Sequence, residues 1–172
     1  STAKDCLLPL VSGSIYPAQA VAAQKGKAGE PGLLKGKALS EAPMGTILRN
    51  TPQGIFGAVN GAFSGQPLPV AAWEDLHTGA AAIRSTVQGD EPREYSVEIL
   101  KIYPKDRQTG RNLLLKVTDP ELIAATGGIV QGMSGSPILQ DGKLIGAVTH
   151  VLVNDPTAGY GIFIENMLEA AG

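Results

Sequence analysis

With 172 residues the chain is long enough for one compact domain, or for two small barrels sharing an interface. Its formal net charge is −2 and it carries no basic stripe, so no electrostatic case exists for a nucleic-acid partner or an anionic membrane surface. Hydrophobic residues make up 43% of the chain, yet no apolar run approaches the roughly 20 residues that span a bilayer, so no membrane segment is expected in it.

Cys6 is the sole cysteine, which rules out an intrachain disulfide and a cysteine-rich metal site and leaves the compartment open. Cys6 reads as a small apolar core residue, because no oxyanion-binding motif surrounds it. No leader pattern of charged start, apolar stretch and small-residue cleavage site is found, and Ser1-Thr2-Ala3-Lys4 reads as a processing boundary. Glycine (22) and proline (12) are abundant and long amphipathic stretches are missing, which favours many short strands joined by turns.

Leu7 to Val11 is apolar and ends at Ser12-Gly13. The charged, Gly/Pro-broken stretch from Gln24 to Gly32 reads as a surface loop, with Glu30 a solvated turn residue. Strands follow at Leu33 to Leu39, at Thr46 to Leu48 before the Asn50-Thr51-Pro52 turn signal, and at Ile55 to Val59 before Asn60-Gly61. His77 reads as a loop residue. Gln88 to Pro92 is a second loop and marks the boundary between two halves.

Beyond it, Tyr95, Val97 and Ile99 alternate with Glu94, Ser96 and Glu98, the period of a half-buried strand. Leu113, Leu115 and Val117 alternate with Asn112 and Lys116. Short helices are expected at Pro120 to Ala125 and Asn166 to Ala171. Pro137 to Gln140 and Lys143 to Val151 flank Asp141-Gly142, a strong hairpin signal, and Gly161 to Ile164 is a last strand. The fold class is therefore all-β, two packed barrels with a short C-terminal helix, in a single domain 1–172: residues 1–89 mostly the first barrel, 90–172 mostly the second.

Gly132-Met133-Ser134-Gly135-Ser136-Pro137 is the segment able to carry chemistry. Attack on a peptide carbonyl needs a hydroxyl held on a tight turn, with backbone N–H groups aimed where the oxyanion develops. Ser134 is the candidate nucleophile, and the amides of Gly132 and Ser134 form the oxyanion hole. Ser136 is a rival that lacks the flanking Gly-x-Ser-Gly arrangement. By itself the motif is also an ordinary hairpin lead-in. The downstream apolar strand, tight turn and Gly146-Ala147-Val148-Thr149 strengthen the catalytic reading, and the second strand becomes a wall of the substrate pocket. With two histidines and no clustered carboxylates, no metal site and no cofactor is expected.

Thr126-Gly127-Gly128-Ile129-Val130-Gln131 leading into that hexapeptide resembles the signature of the SpoIVB peptidase family, the stage IV sporulation serine peptidases. So do Gly146 to Val151, Val153-Asn154-Asp155-Pro156-Thr157, Gly159-Tyr160-Gly161, Lys27 to Gly32, and Asn50-Thr51-Pro52 with Gly54-Ile55-Phe56-Gly57. The likeness is dense from Gly127 to Ile164 and looser between Gln66 and Arg111. It implies a chymotrypsin-like double barrel and a Ser/His/Asp mechanism. It also implies secretion from the forespore into the space between forespore and mother-cell membranes. There the peptidase would cleave a protein regulator of an intramembrane protease, and itself, releasing a late mother-cell sigma factor. A PDZ domain is expected upstream. The family's general-base histidine lies in a Gly-His segment just before a stretch resembling Asp5-Cys6-Leu7, so the resemblance implies that the chain is truncated ahead of it and nearly inactive by itself.

Asp119 matches the family's acidic triad member, while Asp119-Pro120-Glu121 also reads as a helix start with Asp as N-cap; both roles stay open. His150 and Thr149 are assigned to the substrate pocket, His150 being equally readable as an ordinary strand histidine. Asp155 reads as turn chemistry at the pocket rim. The alternative function is a non-catalytic peptide-binding barrel that has lost its base.

Overall fold

The computed structural model describes the backbone of residues 2–3, 6–61 and 65–172, and the side chains of 7–61 and 65–172. The expectation of a buried Cys6 side chain lies outside the described residues. Among the described residues, the first half holds three separate sheets. Strands β1 (Thr2–Ala3) and β2 (Cys6–Leu7) form one pair. Strands β3 (Ser14–Ile15), β6 (Gly45–Thr51) and β7 (Gly54–Val59) form a three-stranded sheet, and β4 (Ala18–Gln24) pairs with β5 (Leu33–Ala38).

The second half closes on itself. Strands β8 (Gly79–Ser85), β9 (Arg93–Ile102), β10 (Leu113–Val117), β11 (Pro137–Gln140), β12 (Lys143–Leu152) and β13 (Asp155–Phe163) make a barrel in the order β10-β13-β12-β11-β8-β9. Closure removes the unpaired edges that an open sheet exposes. Two helices complete the fold, α1 (Pro120–Thr126) and α2 (Ile164–Ala171). Among the described residues no helix is long and apolar enough to cross a membrane.

The barrel is the core. Inward side chains from alternate strand positions fill it: Ile83, Tyr95, Val97, Ile99, Leu113, Leu115, Ile138, Ile145 and Val148 are all buried. Glu94, Ser96 and Glu98, expected outward, are exposed. Asn112 departs from that pattern: it is fully buried and hydrogen-bonded rather than solvated. The Asp141-Gly142 turn forms as expected, both residues at positive φ (50° and 74°), the geometry of a two-residue hairpin whose twist matches its strands.

Two details shape the approach to the site. The barrel takes β8 from ahead of the Gln88 to Pro92 loop, and that loop is not a loose joint: Gly89 exchanges two backbone hydrogen bonds with Ala20 on β4, at 2.7 and 2.9 Å. The Gln24 to Gly32 stretch likewise packs inward at its ends. Gly26 is buried and donates to the Thr126 carbonyl (2.9 Å), Gly29 donates to the Val153 carbonyl (2.8 Å), and Gly32 is buried beside Val130. Glu30 itself is exposed, its amide closing a turn on Lys27. The β4–β5 hairpin is thereby laid against the segment that leads to Ser134.

Candidate active site

Gln131 to Ser136 is a tight double turn gripped from three sides. Met133 donates its amide to Val130 O (3.1 Å) and Ser136 to Met133 O (3.0 Å), folding the chain back twice between Val130 and Ser136. Gly135 N–H reaches Val148 O (2.8 Å) and Val148 N–H reaches Ser136 O (2.9 Å), pinning the turn to β12. The Met133 side chain is fully buried and plugs the turn into the core. On the third side Leu34 donates to Gln131 O (2.8 Å), and a Cβ built on Gly132 would stand 3.0 Å from Leu34 Cβ. Gly132 also has φ +100°, so glycine is required there by backbone and by space.

The turn exposes Ser134. Its hydroxyl donates to the carbonyl of Thr149 at 3.0 Å. Among the described residues, the amides of Gly132 and Ser134 carry no intrachain acceptor, in contrast to those of Met133, Gly135 and Ser136 around them. A hydroxyl beside two uncommitted N–H donors can attack a carbonyl and hold the oxyanion it creates. Ser136 is a different case: its hydroxyl donates to Oγ of the buried Ser85 at 3.0 Å, which ties β11 to β8 and makes it a structural serine.

Thr149 sits in a bulge. Val148 pairs with Gly161 and His150 with Tyr160, so Thr149 is the extra residue in the β12–β13 ladder. Its Oγ1 lies within donating distance of Gly110 O (2.7 Å) and Tyr160 O (3.1 Å) while its own carbonyl faces Ser134 Oγ. Pairing of β11 with β12 ends at Pro137 and Ala147, whereas the β12–β13 ladder continues to Leu152. His150 is exposed on that stretch.

Asp119 is fully engaged as a helix cap. Its Oδ1 accepts from Glu121 N (2.9 Å) and Leu122 N (3.0 Å), and its Oδ2 accepts from Ser96 N (3.1 Å). Among the described residues, the hydrogen-bond partners of Asp119 do not include Ser134. His77 is also elsewhere: Nε2 meets Asp141 Oδ2 at 2.9 Å and Nδ1 meets Thr78 O at 3.0 Å. Its pKa is raised, first by the Thr78 carbonyl and then by Asp141. Asp155 does perform turn chemistry, its Oδ1 accepting from the Thr157 amide (3.1 Å) and hydroxyl (2.5 Å), and it pairs with Lys116 at 2.8 Å. The lysine and these hydrogen bonds hold its carboxyl below the usual range. Among the described residues, no three His, Cys, Asp or Glu side chains group as metal ligands.

Sequence reasoning passed over the loop from Tyr103 to Asn112. Asp106 organises it, Oδ1 accepting from Gln108 N (3.0 Å) and Thr109 N (2.9 Å), and Oδ2 from Arg111 N (3.1 Å) and the Thr109 hydroxyl. Burial pushes the Asp106 carboxyl up, but those four donors outweigh it and hold the pKa at about 2. The Asp106-x-x-Thr109-Gly110 pattern was the available signal for such a turn.

A family model described as SpoIVB peptidase S55 matches residues 2–168. Among solved structures, the active form of the Rv3671c protease from M. tuberculosis superposes with a TM-score of 0.55 at 15% identity, covering 98% of this chain and 90% of that one. No curated protein matches the chain. The structural likeness establishes a protease-like fold around the barrel and the short C-terminal helix. The family match spans the Ser134 turn, the bulged strand and the amino-terminal sheets together, and so the chain belongs to the SpoIVB family of peptidases.

Proposed function

We propose that this chain is the serine endopeptidase domain of a sporulation-signalling protease, with Ser134 as nucleophile and the Gly132 and Ser134 amides as its oxyanion hole. The observation that carries this reading is the exposed Ser134 hydroxyl on a turn clamped to β12, flanked by two amides without intrachain acceptors. The substrate delivers its scissile carbonyl to Ser134, where the two flanking amides receive the developing oxyanion. An imidazole has to displace the Thr149 carbonyl as the partner of Ser134 before the hydroxyl loses its proton, and the family's Gly-His segment is its source. Asp119 orients that imidazole only by giving up a cap hydrogen bond.

The substrate class is a protein regulator of an intramembrane protease, together with the protein's own chain, and the location is extracytoplasmic, between forespore and mother-cell membranes. The test uses the complete gene product and its Ser134→Ala variant, with self-cleavage and peptide-library cleavage read by mass spectrometry. Loss of both in the variant is expected; unchanged cleavage removes Ser134 from the role. A second reading, a barrel that binds peptides without turnover, is favoured by the contact of Ser134 with a carbonyl instead of a base. Calorimetric binding of a peptide that the complete protein never cleaves would establish it.

A further inference from the structure

The chain holds two Lys-Gly-Lys tripeptides, Lys25-Gly26-Lys27 and Lys35-Gly36-Lys37. Separate in sequence, they are brought together by the β4–β5 hairpin. From Ala18 to Ala38 it carries four lysines and one carboxylate, Glu30, in a chain of net charge −2. All four lysines are exposed. Among the described residues none of them forms an ion pair, unlike Arg84, Arg93, Arg107, Lys116 and Lys143.

The two glycines differ. Gly26 is buried and its amide is committed to the Thr126 carbonyl at 2.9 Å. Gly36 is exposed, and its register fixes which way its backbone faces. It pairs with Ala20, and Ala20 turns both its N–H and its C=O to Gly89, at 2.7 and 2.9 Å, away from β5. Ala20 and Gly36 therefore share no hydrogen bond, and the N–H and C=O of Gly36 point to the other edge of β5. Leu34 has the same orientation, its N–H leaving β4 to reach Gln131 O at 2.8 Å. Past Gln131 the chain turns away toward Ser134. Among the described residues, the two backbone groups of Gly36 have no hydrogen-bond partner. Leu34 packs against the core, so its neighbours of opposite phase, Lys35 and Lys37, stand together on the outer face of β5.

We propose that the β5 edge at Gly36 takes an acidic segment of the protein substrate as an added strand, its carboxylates paired with Lys35 and Lys37. The inference rests on the peptidase reading for the identity of that partner. A strand hydrogen-bonded to Gly36 places the residues on either side of the contact opposite Lys35 and Lys37, on their face, so the segment has acidic residues at alternate positions. Lysines beside an open edge repel cationic strands and leave neutral ones without ion pairs, whereas carboxylates supply them. A polypeptide suits this edge better than a lipid headgroup, because the uncommitted groups are a backbone donor and acceptor side by side. The bond from Leu34 to Gln131 ties the same edge to the turn that carries Ser134.

The test titrates synthetic peptides into the complete gene product carrying Ser134→Ala. The probes alternate Glu with Thr, Gln with Thr or Lys with Thr, and a fourth repeats Glu-Glu-Thr-Thr at the same charge as the first. The alternating Glu peptide should bind about tenfold more tightly than the Gln peptide, and more tightly than the Glu-Glu-Thr-Thr repeat. The Glu-to-Gln ratio should fall to about one in the Lys35→Gln, Lys37→Gln protein. Lys35→Glu with Lys37→Glu should favour the Lys peptide, a gain that a misfolded variant cannot produce. The bound Glu peptide should slow hydrogen exchange at the Gly36 amide by about tenfold or more. Equal binding of the Glu and Gln peptides, equal binding of the two Glu repeats, or a Gly36 amide left unprotected overturns the proposal. Lysine-dependent binding to phosphatidylglycerol vesicles without discrimination among the peptides overturns it in favour of a lipid surface. Selective binding that protects Gly36, in a complete gene product that with Ser134 intact cleaves no peptide, supports the docking edge while refuting the peptidase reading.

Discussion

Asn112 and Asn166 meet side chain to side chain in the interior, Asn166 Nδ2 donating to Asn112 Oδ1 at 3.0 Å. Asn112 is fully buried, and the rest of its amide is equally committed, to Phe163 N (3.1 Å), Tyr103 O (3.1 Å) and Asp106 O (2.6 Å). One side chain therefore fastens the Tyr103 to Asn112 loop to the last barrel strand and to α2. Asn112→Ala leaves several buried groups unpaired and should cost roughly 2–4 kcal/mol, read as a lower urea midpoint at unchanged m value. Asn166→Ala should cost less, and the double variant should fall short of the sum because the two share a bond. Additive losses would separate the two residues.

Asp119 offers a way to part its two roles. Asn is as good an N-cap as Asp, and its single oxygen can still serve the helix amides, although its Nδ2 cannot accept from Ser96 N–H, so Asp119→Asn should cost only about 1 kcal/mol. Asp119→Ala loses the cap and also leaves Ser96 N–H without its acceptor, and should cost about 1–2 kcal/mol. If Asp119 also orients a catalytic imidazole, Asp119→Asn in the complete gene product should cleave at least a hundredfold more slowly at near-normal stability. Equal cleavage would leave it a cap alone.

What could be read in the chain follows from where period and turn chemistry were strong. The alternation of β9 and β10 and the Asp141-Gly142 hairpin carry strong local signals, and each takes its expected form. Strands β4 and β8, Ala18–Gln24 and Gly79–Ser85, were not legible, since their runs of alanine lack both β-branched enrichment and a polar/apolar period. Pairing with β5 in one case, and with β9 and β11 in the other, imposes their conformation from outside. Asn112 misled for a related reason: period alone sends a polar residue outward, but a saturated amide is at home inside. The bulge at Thr149 and the loop that reaches it depend on contacts 39 residues apart in sequence, which no local pattern encodes.

Acid should loosen the same loop. Asp106 titrates at about 2 in the folded chain against 3.8 ordinarily, its depressed value set by Thr109, Gln108 and Arg111 donors acting against burial. A depressed folded pKa means that the stabilisation is complete above 3.8 and disappears as pH falls toward about 2. Asp106→Asn cannot satisfy all four donors and should be less stable than the parent near neutrality. The gap between the two proteins in urea midpoint should narrow as pH is lowered through that window. A gap that stays constant with pH would show that the charge of Asp106 contributes nothing.

The opposite sign is expected at the far end of the barrel, where His77 sits against the β11–β12 turn. The Thr78 carbonyl and the Asp141 carboxylate both favour its protonated form, so its folded pKa lies above 6.5. Any stability it gives is present below 6.5 and is lost as pH rises through the folded pKa. Asp141→Asn keeps a residue that tolerates the positive φ of this turn while removing the charge. The His77 pKa, followed by NMR through its ring protons, should drop in that variant yet stay above 6.5, because the larger contribution from Thr78 remains. A His77 pKa unmoved by Asp141→Asn would mean that the 2.9 Å contact between the two side chains is not populated in solution.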